Sequence, residues 1–140
     1  VPKLISKANK ELENQKDLHC WVIGNHEYIK QVLDQQEQLK ERFPKNNSTY
    51  TYLDSMQTFA EKIDKSALID HKRSMFSLLS NSMNQFLKSI EIKNAHIYHQ
   101  FCPMALHDTG AFWLSQEADI KNPYFGKEML ECGETVDSLN

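Results

Sequence analysis

From residue 1 to about residue 90, apolar side chains recur three and four positions apart among Glu, Gln, Lys and Asn, which is the period of amphipathic α-helices. Four such segments are legible. The first, residues 2–18, opens with Pro2 in its first turn and sets Leu4, Ile5, Ala8, Leu12 and Leu18 towards one side. The second starts after Gly24 with Asn25 as N-cap, runs through Ile29, Val32, Leu33, Gln36 and Leu39, and stops before Pro44. Residues 49–62 form the third, with Tyr52, Leu53, Met56, Phe59, Ala60 and Ile63 in helical register. The fourth takes Ser66 as N-cap and carries Leu68, Met75, Leu78, Leu79, Met83, Phe86, Leu87 and Ile90. Short connections favour antiparallel neighbours, so the expected bundle runs up-down-up-down.

Beyond Lys93 the helical period disappears and turn formers gather: Pro103, Gly110, Pro123, Gly126 and Gly133 all follow residue 100. An irregular segment of this length inside a compact domain is functional or disordered. Its Tyr98, Phe101, Phe112, Trp113, Tyr124 and Phe125 argue against disorder, with Trp113, Tyr124 and Phe125 as the expected anchors onto the bundle. A short strand at residues 95–101 can pair with residues 110–114 across a turn holding His107, Asp108, Thr109 and Gly110. The expected fold class is all-α: one domain over residues 1–140, with an antiparallel four-helix bundle at 1–92. An irregular aromatic-rich C-terminal segment at 93–140 wraps over it, with room for a small β-hairpin.

Composition narrows the function classes. A chain of 140 residues fits one domain and can bury roughly 68–70% of its unfolded surface without staples. The formal net charge of -3, with no run of Lys or Arg interleaved with aromatics, makes nucleic acid a poor partner. No apolar stretch approaches the roughly 20 residues that cross a bilayer. The opening Val1-Pro2-Lys3 has no signal-like segment and reads as a mature or trimmed form. Cys20, Cys102 and Cys132 are too few for a disulfide scaffold, and their odd number leaves one sulfur outside any internal bridge.

The densest chemistry lies in the tail: Tyr98-His99-Gln100-Phe101-Cys102-Pro103-Met104, then Gly110-Ala111-Phe112-Trp113-Leu114-Ser115, then Asn122-Pro123-Tyr124-Phe125-Gly126, and finally Met129-Leu130-Glu131-Cys132-Gly133. These pieces resemble the domain of unknown function 3347, a family of Bacteroidetes-type bacteria. The resemblance is specific over residues 98–133. It is weaker over residues 71–87, where Arg73, Phe76, Leu79 and Ser80 match and Met75 stands where the family commonly carries a His. It implies a periplasmic or cell-envelope location and a link to adaptor subunits of heavy-metal efflux systems, including those for copper and silver.

The residues themselves point the same way. Thiolate and thioether sulfur is soft and polarizable, which suits Cu(I) better than Zn. Cys102 and Met104 are two apart, sharing a face if extended, while Met129 and Cys132 are three apart, sharing a face on a helical turn. Each half of the tail can thus present two sulfurs to one point, with His99 as a further ligand. His71 and Met75, four apart on the fourth helix, form a second candidate stripe in line with Leu68, Leu78 or Leu79, and Phe86, and it is expected to face inward. The competing reading is a disulfide between Cys102 and Cys132, which would close a loop of thirty residues and contribute about 3–4 kcal/mol.

No nucleophile elbow, phosphate loop, zinc-protease helix or paired-carboxylate motif is present, so the chain is expected not to be an enzyme. The expected function is a non-catalytic metal-handling module of the bacterial envelope, with Cu(I) as cargo and an efflux adaptor or other envelope protein as partner. The alternative is a structural or protein-interaction domain pinned by Cys102–Cys132 and independent of metal.

Overall fold

The computed structural model describes residues 38, 40–91, 96–125 and 128–139. The readings for helical segment one, for segment two before residue 38, and for Cys20 lie outside the described residues.

Helix α1 spans Ser48–Lys65. Its start is fixed by Asn47, whose side-chain oxygen accepts from the Thr49 N–H at 2.8 Å and so satisfies one of the unpaired donors of the first turn. Leu53, Met56, Ala60 and Ile63, three or four apart, are its buried stripe. Lys62 and Lys65 sit in the last turn against the negative end of the helix dipole, and the chain turns extended at Ser66. Ser66 is therefore the C-cap of α1 rather than the N-cap of the next helix. Its hydroxyl accepts from the Leu68 N–H at 3.2 Å in the short link.

Helix α2, Ile69–Ser89, runs back antiparallel to α1, as the Thr49 to Ser89 hydroxyl bond at 3.0 Å requires. Leu79, Met83, Phe86 and Leu87 meet Leu53, Met56, Ala60 and Ile63 in one core cluster. Burying each such aliphatic side chain is worth about 1.5–3 kcal/mol. The stripe expected to face inward does so only in part: Leu79 and Phe86 are buried in the core and Met75 is half-buried against it, whereas His71 is exposed and Leu68 and Leu78 are 70% and 41% exposed. The reason is that α2 buries two flanks. One packs on α1 through large apolar side chains, and the other carries small or polar groups: Ser77 and Asn84, which bond to a layer the helical pattern does not announce, and Ser80, whose hydroxyl donates back to the Phe76 carbonyl at 2.8 Å.

That layer is a sheet. Strands β1 (Ile97–Cys102), β2 (Ala111–Ser115) and β3 (Glu134–Leu139) lie in the order β2-β1-β3, both pairings antiparallel. The all-α four-helix bundle is thus corrected to a mixed α/β architecture, two antiparallel helices on one face of a three-stranded sheet. The β1–β2 hairpin forms where the alternation placed it, but β3 converts it into a sheet with β1 at its centre. β3 escapes a hydrophobic reading because Glu134, Thr135, Val136 and Ser138 are all exposed, as an edge strand permits. A bulge between His99 and Gln100 adjusts its register.

The β1–β2 connection contains a single helical turn, α3 (Ala105–Asp108), in which Leu106, His107 and Asp108 take φ of 53°, 55° and 64°. Three successive left-handed residues cost roughly 1–2 kcal/mol each. Gly110 follows at φ 87°, where a Cβ would stand 2.4 Å from the Phe101 ring, so only glycine closes the hairpin.

Among the described residues, no helix is long and apolar enough to cross a membrane. Leu87 is fully buried at the centre of the helical core, and Leu87→Ala should cost about 2–5 kcal/mol of stability, read as a lowered urea midpoint at unchanged slope. A loss below about 1 kcal/mol would contradict the core described here.

Candidate functional site

Alternate residues of β1 serve different cores. Ile97 joins Leu114 in the helical cluster, and His99 on the same face reaches Asn81 and Asn84 of α2. Gln100 and Cys102 face the other way. Cys102 gathers with Ala105, Ala111, Trp113 and Tyr124 in a second cluster, with Ile120, Phe125 and Cys132 packed on it. The expected anchors are here: Trp113 and Tyr124 are buried with ring centroids 6.1 Å apart, and Phe125 is half-buried beside them.

The central observation is that the Cys102 and Cys132 sulfurs, thirty residues apart, stand 2.6 Å from one another. Both are free thiols, Cys102 fully buried and Cys132 half-exposed. The separation is well inside the roughly 3.5–4.0 Å of non-bonded heavy atoms and above the covalent 2.03–2.05 Å. The hydrogen shared with Cys102 pushes the Cys132 thiol up, burial adds to this, and the Met104 backbone N–H opposes it.

Three features bring Cys132 there. Asn122, fully buried, donates from Nδ2 to the Cys132 carbonyl at 2.8 Å, accepts at Oδ1 from the Tyr124 N–H at 2.7 Å, and donates its own N–H to the Leu130 carbonyl at 2.6 Å. Gly133, at φ 141°, passes so close to the sheet that a Cβ would lie 2.8 Å from the Trp113 ring and 3.0 Å from the Phe101 carbonyl. Tyr124 fastens the covering segment to both layers, since its hydroxyl donates to the Phe112 carbonyl and accepts from Ser77, while the Phe112 N–H donates to Ser77 Oγ at 3.1 Å. This closed triangle is buried, and burial pushes the Tyr124 phenol up. The motif reading had the aromatic residues of this segment but not the polar clamps. The signal for Asn122 was present, because Asn before a proline-containing turn commonly bonds the backbone two residues on.

The other candidate ligands separate. Met104 reaches the pair through its backbone N–H on the Cys132 sulfur and is 48% exposed, and Met129 lies half-buried in the turn, its carbonyl accepting from the Cys132 N–H at 3.2 Å. Glu128, Met129, Leu130, Glu131 and Cys132 line an open depression of about 440 Å³ on the Cys132 side of the pair. His99 is on the opposite face of β1 from Cys102, and Met75 packs against the helical core, so neither joins the pair. His71 is on the exposed surface of α2. Among the described residues, no group of three or more His, Cys, Asp and Glu side chains gathers in a ligand arrangement. Of the four sulfur-bearing candidates in the tail, the fold thus brings Cys102 and Cys132 into contact.

His99 is instead a clamp between sheet and helix. Its Nε2 lies 3.2 Å from Asn81 Oδ1, its Nδ1 3.3 Å from Asn84 Nδ2, and its ring stacks on Phe112 at 4.8 Å. That partner set assigns the neutral tautomer with the proton on Nε2.

No family model matches the chain, and neither the curated proteins nor the solved structures contain a match to it.

Burial, joined by Lys88, pushes the His99 imidazole below its usual range, with Asp137 opposing. The folded state therefore favours neutral His99, while the unfolded chain takes up a proton near pH ~6.5. The stability this contributes is complete above that pH and is lost as pH falls through the window below it. Wild-type urea midpoints should drop between about pH 7.5 and about pH 5.5, and His99→Gln should flatten the drop. An equal slope in the variant would remove His99 as its source. Asp137, held low by Lys88, acts in the more acidic carboxylate range.

Proposed function

We propose that this chain is a non-catalytic metal-handling module of the bacterial cell envelope, with the Cys102–Cys132 pair as its working centre and Cu(I) as its cargo. The observation that carries the reading is the meeting of the two sulfurs from opposite ends of the tail. Two thiolates offer soft donors to a soft ion, and the exposed Met104, whose backbone N–H bonds the Cys132 sulfur, carries a further soft donor two residues from Cys102. Loading releases the protons held by the pair, so affinity rises with pH.

Geometry sets one requirement. With metal–sulfur distances of about 2.3 Å, as on zinc, two thiolates sharing an ion stand about 3.8 Å apart at a tetrahedral angle and about 4.6 Å apart in a line. The pair must therefore open by more than an ångström. The half-exposed Cys132 side chain is the one to turn outward on its held backbone, since Cys102 is fully buried in the sheet.

The same short separation favours a second reading, in which the pair closes as a disulfide that pins the tail, and the domain acts as an interaction module on envelope partners such as an efflux adaptor. Closure of this loop contributes about 3–4 kcal/mol.

A thiol count followed by Cu(I) titration against a competing chelator separates the two, in a Cys20→Ser background under reducing conditions. The metal reading expects one Cu(I) per chain, lost in Cys132→Ser and in Cys102→Ser, with weaker uptake in Met104→Leu. Two blocked thiols in the native protein, with no uptake after reduction, leave the staple reading. Cys102→Ser then lowers stability and changes no ligand affinity.

A further inference from the structure

We infer that Asn122 is the positioning residue of the sulfur pair: its side chain holds the Cys132 segment against the sheet and so sets how readily the two thiols act as one unit. The inference rests on the paired-sulfur reading of this site, though not on which metal the pair takes.

Cys102 is the last residue of β1, paired to Ala111 in the strand ladder, and needs no further support. Cys132 has no such ladder, for it lies in the turn before β3. Among the described residues its backbone is fixed by the turn bond to the Met129 carbonyl and, across the chain, by Asn122 Nδ2 on its own carbonyl. Asn122 uses both ends of its side chain on this task, Nδ2 donating to the Cys132 carbonyl and Oδ1 accepting from the Tyr124 N–H, while its backbone N–H donates to the Leu130 carbonyl. An amide at zero exposure is costly unless its groups are paired, and here donor and acceptor both are. Through Tyr124 the same residue is tied to Ser77 of α2 and Phe112 of β2, so the Cys132 segment is referred to the rigid layers rather than to its own loop.

The consequence is an effective concentration of one thiol at the other. The exchange with a small disulfide such as oxidised glutathione reads it. The half-exposed Cys132 thiolate attacks the glutathione disulfide and releases one glutathione thiolate. The buried Cys102 thiolate then attacks the Cys132 sulfur of the mixed disulfide and releases the second. Two protein thiols and one glutathione disulfide become one protein disulfide and two glutathione thiols, the protein protons passing to the leaving thiolates. Only the second step depends on how Cys132 is held.

The test uses the full chain with Cys20→Ser, equilibrated anaerobically in mixtures of reduced and oxidised glutathione, trapped by alkylation and counted by mass. Asn122→Ala removes the whole side-chain clamp, Asn122→Asp keeps the acceptor for Tyr124 and turns the donor facing the Cys132 carbonyl into a carboxylate oxygen, and Leu87→Ala serves as a variant in the other core cluster. The expected result is an equilibrium constant for closing the pair at least tenfold lower in both Asn122 variants, and within twofold of the parent in Leu87→Ala. Asn122 constants within twofold of the parent overturn the proposal. So does an equal fall in Leu87→Ala, or loss of fold in both Asn122 variants, since either makes Asn122 a general structural residue. A pair that closes with the expected variant effect but takes no Cu(I) removes the copper reading and leaves Asn122 in its role. A parent that never closes at any glutathione ratio removes the pair itself and this inference with it.

Discussion

Side chains along a β-strand alternate between two faces, and in β1 that alternation commits neighbouring residues to different tasks. Ile97 and His99 belong to the helices, Gln100 and Cys102 to the covering tail. Because β1 is the middle strand, it leaves neither edge to solvent and has both faces occupied. A one-residue slip would exchange the two sets, placing Cys102 against α2 and His99 under the tail. The register is held by the bulge against β3, by the Gly110 turn against Phe101, and by the His99 clamp to Asn81 and Asn84.

The polar groups inside this small domain are therefore positional as well as stabilising. Ser77 joins α2 to β2 and Tyr124, and Gln100 ties β1 to the Glu117 and Ala118 carbonyls and to Thr135 of β3. Asn122 ties the Cys132 turn to the segment anchored by Tyr124. A net hydrogen bond adds only about 0.5–1.5 kcal/mol, whereas a buried group left without its partner costs about 1–3 kcal/mol. Such contacts discriminate between arrangements more strongly than they stabilise any one of them. The result is a thiol pair whose separation is governed from outside the cysteines themselves.

How much of this could be read from the chain differs by element. The helix at residues 49–62 was legible because Leu53, Met56, Ala60 and Ile63 hold a single stripe, and the β1–β2 hairpin because strand formers flank a Gly-bearing turn. The architecture was not. α2 carries two buried flanks, and the one facing the sheet is made of Ser77, Ser80 and Asn84, which a hydrophobic period cannot register. β3 is polar and exposed and left no pattern to find. At the site, Cys102 and Cys132 were legible as partners by residue type, and the fold brings them together. His99 was drawn in by residue type and His71 and Met75 by helical spacing, neither of which can tell which face of a strand or helix meets which layer. Asn122 was visible only as part of a motif, because its role depends on where Cys132 and Tyr124 arrive.

The account stands on Cys102 and Cys132 being neighbours in the folded chain. Mild oxidation of the native protein with a small disulfide, followed by alkylation, digestion and mass mapping of linked peptides, examines that neighbourhood directly. The account requires the peptide holding Cys102 to be joined to the one holding Cys132, with Cys20 recovered in alkylated form. Linkage of either tail cysteine to Cys20, or recovery of all three cysteines unlinked, would contradict it.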